Sequence, residues 1–369
     1  MVKFRKMLTE KEMIEQLRSD KISLPPLSFR FLESWLKEKG NRRFDALVEA
    51  SWQGNIAKFA VECKALSTPK AFQEGINLLK SLTLPNDYRP MLFLPFLSEN
   101  QLQELEREEI SGIDLCGNGV VVVPGIFAVF RSGGKNRFPS SAPIKNIYRK
   151  NSSMVGRVFF VNPVFNAVQE VGSEINQRNM LVNRWDKRPM SLSTVSKALR
   201  TLEQDLIVER RGTIRLLQPE KLLEKLRESY ATPNITERLR LKVSESSEKI
   251  RELLLKLSQT LDLPLVATGI SSVGRYAVMQ RGDVLSVYSP LLEKLLKQLP
   301  GNQTDRFPNL ELIETEDETV YFDARQEGDF WWASPVQVYL ELMTGDKRDR
   351  ETAEQVKSFL LKGIEQTLQ

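Results

Sequence analysis

The chain has 369 residues, with 53 basic and 48 acidic side chains and a formal net charge of +5; hydrophobic and charged fractions of 41% and 27% exclude wholesale disorder. It contains no histidine and only two cysteines, Cys63 and Cys116, which excludes Ser-His-Asp and Cys-His nucleophiles, histidine zinc sites and a four-cysteine zinc site. Any hydrolytic chemistry therefore rests on carboxylates, lysine and a hard ion such as Mg2+.

Residues 1–40 read as helices, with Leu27, Phe31, Trp35 and Leu36 on one face of a helix over Leu27–Lys39 that ends at Gly40. Two strand-like runs follow, 43–52 and 58–66, joined by the turn signal Gln53-Gly54-Asn55. The pattern then predicts a helix over 70–82, an apolar strand over 91–97, an acidic amphipathic helix over Glu99–Glu109, and two strands around Gly117-Asn118-Gly119. That order is an α/β domain with a mixed sheet over residues 1–130. Residues 131–156 read as a basic linker or arm rich in Gly, Ser and Pro. Short helices and a hairpin occupy 157–232. A helix is expected over Lys221–Tyr230 at the end of 157–232, and in 233–369 helices over Thr236–Leu261, Pro290–Gln298, Pro335–Met343 and Arg350–Gln366. Between them lie strand-like runs at 263–269, 284–289, 310–314 and 319–324, a second α/β domain. The longest apolar runs, such as Val120–Phe130, fall short of the ~20 residues of a membrane helix. The charged N-terminus has no signal-peptide core, so a cytoplasmic protein with no membrane partner is expected.

The first constellation lies on the first strand pair. Alternation places Glu62 and Lys64 on one face, with Cys63 pointing the other way, and a hairpin brings Asp45 alongside. Two carboxylates and a lysine at strand ends suit one Mg2+ and the orientation of an attacking water. Glu33 on the preceding helix would add a metal contact, making Glu33, Asp45 and Glu62 the expected metal set. Gln73 on the following helix would join Asp45, Glu62 and Lys64 as the expected catalytic set. The order helix with Glu33, strand with Asp45, strand with Glu62-x-Lys64, helix with Gln73 resembles the PD-(D/E)XK superfamily of restriction-endonuclease-like folds over about residues 25–130. Phe44 stands where that motif has its proline. The competing reading makes Glu62 and Lys64 an ordinary ion pair on an amphipathic strand.

The charge concentrates in the middle of the chain: residues 131–215 carry 16 basic and 6 acidic side chains, against 17 and 17 before them and 20 and 25 after. A basic centre of this kind is the footprint of a nucleic-acid-binding module. Within it, the segment Met190–Glu203 has serine N-cap candidates and an apolar face of Val195, Leu199 and Leu202. Its other side presents Ser193, Thr194, Ser196, Lys197 and Arg200, short hydroxyls and cations suited to base edges and phosphates. Then comes a tight hairpin, Glu209–Arg215, with a glycine turn and Arg210, Arg211 and Arg215. Val164, Phe165, Val168, Ile175, Leu181 and Trp185 are expected on supporting helices. The whole resembles the winged helix-turn-helix of bacterial regulators, which implies double-stranded DNA as partner.

The run Met91–Ser98, the following leucine and glutamate helix, and Ile113-Asp-Leu-Cys-Gly-Asn118 resemble stretches of AbiEi-type bacterial proteins. So do Val266–Tyr276, Ser334–Leu342 and Arg350–Glu354. That family is similar to the antitoxins of type IV toxin–antitoxin and abortive-infection systems. The resemblance implies a DNA-binding regulator that represses its own operon and counters a nucleotidyltransferase-like toxin, and winged helices often act as homodimers. The C-terminal domain faintly resembles nucleotidyltransferase folds at Thr268-Gly269, but Asp283 stands alone and no paired carboxylates follow, so it is expected to be inert. Phe330-Trp331-Trp332 reads as core packing at the start of a helix. Two functions remain open: a regulator, and a Mg2+-dependent DNA endonuclease delivered by the same module.

Overall fold

The computed structural model describes residues 8–19, 22–34, 44–84, 87–138, 146–278, 284–328 and 330–368. The chain forms two compact α/β units, Met1–Pro143 and Ile144–Gln369. Among the described residues no helix is long and apolar enough to cross a membrane.

The first unit opens with α1 (Glu10–Arg18), started by a reciprocal capping box between Thr9 and Glu12. It continues as β1 (Ser28–Ser34), β2 (Ala46–Trp52), β3 (Asn55–Cys63), α2 (Pro69–Ser81), β4 (Tyr88–Leu94), α3 (Glu99–Arg107), β5 (Ser111–Asp114), β6 (Gly119–Val123) and β7 (Phe127–Arg131). The strands form one seven-stranded sheet in sequence order. Only β3–β4 and β4–β5 are parallel, because only those connections contain a crossover helix. Gln53 and Gly54, both at positive φ, make the two-residue turn between β2 and β3. One sheet face packs Val48, Phe59, Val61 and Cys63 under Met13, Ile14 and Leu17 of α1. The other packs Leu92 and Leu94 under Phe72 and Ile76 of α2 and Leu102 and Leu105 of α3.

One expected helix is replaced. Residues 28–34 form β1, paired antiparallel with β2 so that Phe31 lies opposite Val48. Phe29 and Phe31 alternate with Ser28 and Arg30, and this period of two seats both rings on the core. A helix over 27–39 would leave the edge of β2 without its ladder. Trp35 to Gly40 lie outside the described residues.

The motif Ile113–Asn118 has a structural use here. The Asp114 carboxylate, 1% exposed, accepts the backbone N–H groups of Leu97, Cys116 and Asn118 at 2.7–2.9 Å and the Asn118 amide at 2.7 Å. Asn118 in turn accepts the Gly134 N–H at 2.7 Å, which fastens the start of the basic segment onto the sheet. Phe138 packs on the same core.

In the second unit, a 3-10 turn at Lys150–Ser153 leads into α4 (Met154–Arg157). After it come β8 (Val164–Phe165), α5 (Val168–Arg178), α6 (Met180–Arg184), α7 (Leu192–Gln204), β9 (Val208–Arg211), β10 (Thr213–Leu216) and α8 (Pro219–Ser229). Val164 and Phe165, expected on a helix, form the strand that pairs with β10, giving a small sheet ordered β8-β10-β9. The chain then runs through β11 (Glu237–Lys242), α9 (Ser247–Leu261), β12 (Val266–Ala267), α10 (Gly269–Ser272), β13 (Leu285–Ser289), α11 (Leu292–Leu296), β14 (Asn302–Gln303) and β15 (Leu310–Glu314). It ends with α12 (Glu318–Tyr321), β16 (Arg325–Glu327), β17 (Phe330–Trp332), α13 (Pro335–Met343) and α14 (Lys347–Leu368). Its mixed sheet has the order β14-β11-β15-β13-β12-β17-β16. One continuous core runs from Ile147 and Tyr148 through Leu226 and on to residues 266–364, so 157–232 and the α/β sheet share packing inside this unit. Residues 139–145 and Asp283 lie outside the described residues.

Three expectations in this unit are corrected. The helix over 236–261 is a strand, β11, followed by α9. Leu239 and Leu241 alternate with Arg238 and Arg240, and Ser246 caps the helix that follows. The strand expected over 319–324 is not formed: Glu318–Tyr321 are α12, because the Asp317 carboxylate accepts the Thr319 N–H and caps a turn. Phe330–Trp332 is a strand that stops at Ser334, the N-cap of α13, and Phe330 and Trp332 are buried as expected of core residues.

The Glu311 carboxylate on β15 shows how that sheet uses charge. It takes Arg238 and Arg240 at 3.1 and 3.2 Å and the Ser286 hydroxyl at 2.9 Å. Burial alone would raise its pKa, but the Ser286 hydroxyl and the two guanidinium groups outweigh it and hold the value below the ordinary glutamate range. Such a group stabilises the fold above the unfolded glutamate pKa, and the contribution is lost as pH falls through the folded value. Glu311→Gln is therefore expected to cost about 1–2 kcal/mol at neutral pH, discounted because both arginines are half exposed. The gap to wild type should close below about pH 4 in urea denaturation series.

Candidate functional site

Sequence reasoning singles out two clusters, one in each unit. In the first unit the Asp45 backbone N–H donates to Val61 at 2.9 Å, and the Asp45 carboxylate accepts the Cys63 N–H at 2.9 Å. Glu62 is 1% exposed, and its carboxylate receives the Lys64 ammonium at 2.7 Å. Asp45, Glu62 and Lys64 thus gather at the carboxyl end of β3, beside its parallel neighbour β4, with both carboxylates buried. Cys63 points to the opposite face, with its sulfur 3.9 Å from that of Met13. Burial, reinforced by the carboxylates of Asp45, Glu10 and Glu62, pushes its thiol well above the usual cysteine range, which makes it inert.

Two expected members stand apart. Glu33 is exposed on β1, opposite Leu47 and one strand removed from β3, because residues 28–34 are not a helix. The Gln73 side-chain amide donates to Glu104 on α3. Among the described residues no group of three Cys, Asp or Glu side chains converges to hold a metal ion. Asp45 and Glu62 alone are a donor pair that one Mg2+ completed by water would accept; Glu33 does not complete a protein-only set.

In the second unit α7 is started by Ser191, whose side chain accepts the Thr194 N–H at 3.3 Å. Val195, Ala198, Leu199 and Leu202 are buried. Ser193, Ser196, Lys197 and Arg200 are exposed, while Thr194 is half-buried with its hydroxyl 3.0 Å from that of Ser191. The β9–β10 hairpin turns at Gly212, where φ is +79°, a conformation that favours glycine. Arg211, 88% exposed, lies 3.3 Å from Glu209, and Arg215 is exposed opposite Glu209 on the neighbouring strand. Arg210 turns back to within 3.9 Å of Glu203 on α7. No acidic side chain of residues 216–369 engages these three arginines among the described residues, so the hairpin tip is open to solvent.

Four residues that sequence reasoning passed over organise this unit. Tyr148 donates its hydroxyl to Asp205 at the end of α7, and Lys225 lies over its ring. Arg157 and Ser153 are buried, at 3% and 1% exposure. Arg157 carried a signal, a lone cation inside the apolar run Met154–Val161.

No family model, no curated protein and no solved structure matches the chain.

Proposed function

We propose that residues 157–232 act as a winged helix-turn-helix that binds double-stranded DNA, and that the protein is a transcriptional regulator of the antitoxin kind its sequence resembles. One observation carries the reading: α7 offers Ser193, Ser196, Lys197 and Arg200 to solvent beside a hairpin whose Arg211 and Arg215 are also exposed. A helix N-terminal half of hydroxyls and cations fits the major groove, and an arginine-tipped hairpin fits the flanking phosphates. Buried Val195 and Leu199 hold the helix so that this face stays outward. On this reading the C-terminal sheet is a nucleotidyltransferase-like scaffold without catalysis, the protein acts as a homodimer on paired half-sites, and its protein partner is a toxin.

The test is the salt dependence of DNA affinity. Each phosphate contact contributes about 0.9 to the slope of log affinity against log salt. Arg211→Ala with Arg215→Ala is expected to flatten that slope by about two, and Arg210→Ala by less because Arg210 is turned toward Glu203. An unchanged slope in the double variant removes the hairpin from the interface.

A second reading rests on the gathering of Asp45, Glu62 and Lys64 at the end of β3. It makes the first unit a PD-(D/E)XK-like endonuclease. Asp45 and Glu62 would hold a Mg2+ ion, which would supply Lewis-acid assistance, and Lys64 would face the phosphodiester. Its test is Mg2+-dependent cleavage of duplex, branched or single-stranded DNA.

A further inference from the structure

The second unit contains a cavity of about 820 Å3 between the Lys150–Ser153 turn, α4 and the start of α12. Its wall includes Arg149, Lys150, Ser153, Arg157, Tyr230 and Asp317. The volume is that of a pocket for an organic molecule rather than a bare ion.

Two buried polar atoms on this wall have no hydrogen-bond partner: the Ser153 hydroxyl and the Arg157 Nε. Most buried polar groups in proteins are satisfied, so a pair of unmet donors on two residues that line one cavity is informative. Arg157 spends one guanidinium nitrogen, Nη1, on the Thr319 carbonyl at 3.0 Å and the Gln337 side-chain oxygen at 2.8 Å, both neutral acceptors. Among the described residues no carboxylate lies within ion-pair distance of it. A buried cation without a counter-charge is costly. Burial accordingly lowers its pKa, although Tyr230, Asp317 and Glu341 oppose the shift. Glu341, the nearby buried acid, does not touch Arg157: it is bonded to Gly269, Tyr288 and Gln337, and Gln337 stands between the two.

The remaining wall charges are asymmetric in what they already do. Of the acids, Glu316 pairs with Lys187, while Asp317 caps α12 and Glu314 accepts the Leu292 N–H at 2.7 Å, contacts that orient a carboxylate without neutralising it. Arg149 and Lys150 are exposed and in no ion pair among the described residues. The three cations of the wall thus lack an ion-pair partner among the described residues, whereas one of its three acids has one.

We propose that this cavity is a binding site for a small organic oxyanion, a phosphate monoester or a carboxylate. Its head group would pair with Arg157 and accept from Ser153, and its body would lie along Tyr230. Arg149 and Lys150 attract it to the mouth. The site uses no residue of α7 or the β9–β10 hairpin, so it stands or falls apart from DNA binding.

The experiment is thermal-shift and calorimetric titration of the full chain with four probes: inorganic phosphate, adenosine monophosphate, glutamate and citrate. The first two separate a bare from an esterified phosphate, and the last two report carboxylates. At least one organic probe is expected to raise the melting midpoint saturably and to bind more tightly than inorganic phosphate. Ser153→Ala should weaken that probe several-fold and Arg157→Met by about tenfold or more, a charge-assisted contact being lost. Because Arg157 pays an uncompensated burial cost, Arg157→Met without probe should melt no lower than wild type. Lys197→Glu with Arg200→Glu, on α7, should leave probe binding unchanged. Absence of saturable binding by every probe up to about 10 mM, or binding undiminished in Arg157→Met, overturns the proposal. So does an Arg157→Met protein that melts well below wild type while Ser153→Ala binds normally, because Arg157 would then be a purely structural link to Thr319 and Gln337.

Discussion

Reversing two charges on α7, Lys197→Glu with Arg200→Glu, is expected to weaken binding of the full chain to duplex DNA by about a hundredfold at physiological salt. The estimate takes each cation as one charge-assisted contact of about 1.5 kcal/mol, which together make about two decades. Both side chains are exposed on the face opposite Val195, Leu199 and Leu202. The substitution should therefore leave the core intact and change the thermal midpoint little, as surface substitutions ordinarily do. The same variant measured against salt should show a slope flattened by about two. Unaltered affinity, with an unaltered melting curve, would take α7 out of the interface and leave the basic centre of the chain without its proposed use. Replacing Ser193 and Ser196 with alanine is the gentler companion, since hydroxyls positioned at base edges affect sequence preference more than the salt slope.

The second large effect concerns stability. Lys64→Met removes the ammonium that lies 2.7 Å from Glu62, a carboxylate with 1% exposure. Deleting one member of a fully buried ion pair costs about 3–5 kcal/mol; with Lys64 17% exposed, the loss is expected toward or below the low end of that range and above that of a surface pair. Chemical denaturation of the full chain should show the loss in the transition of the first unit. Glu62→Gln combined with Lys64→Met should recover a good part of it, because the carboxylate no longer has to be buried beside an apolar group. This destabilisation is expected whether the pair is structural or catalytic. Cleavage separates the two: if the endonuclease reading holds, wild type cuts DNA in Mg2+ while Asp45→Ala stops cutting with DNA binding retained. A wild-type protein that binds DNA and cuts no duplex, branched or single-stranded substrate leaves Glu62 and Lys64 as a stabilising pair.

Much of the local structure is legible from short patterns. The caps at Thr68, Ser98, Ser191, Ser246 and Ser334 mark helix starts where side-chain oxygens meet backbone N–H groups two or three residues on. Gly54 and Gly212 mark hairpin turns through their positive φ. The association of Asp45, Glu62 and Lys64 follows from alternation across one hairpin, and the exposed face of α7 follows from the spacing of Val195, Leu199 and Leu202. These features depend on neighbours a few residues away. Glu33 and Gln73 were not readable in that way. Glu33 belongs to a strand because its segment finds the edge of β2, and Gln73 turns to Glu104, 31 residues further along the chain.

The sequence by itself determined the α/β character, the basic middle, the amphipathic faces and the absence of histidine chemistry, because composition, periodicity and capping act over one or two turns of chain. The alternation within 28–34 and 237–242 is compatible with strands, but tertiary structure decided that they are, since a ladder needs a partner edge and a local pattern does not supply one. Tertiary structure alone decided which charges are neutralised. Arg157 stands out in sequence only as a lone cation inside the apolar run Met154–Val161; its burial opposite neutral acceptors, 162 and 180 residues away, is what leaves it without an ion-pair partner among the described residues. The physical reason is that desolvation and pairing energies belong to positions in space, and those positions are assembled from parts of the chain that hold no information about one another until it folds.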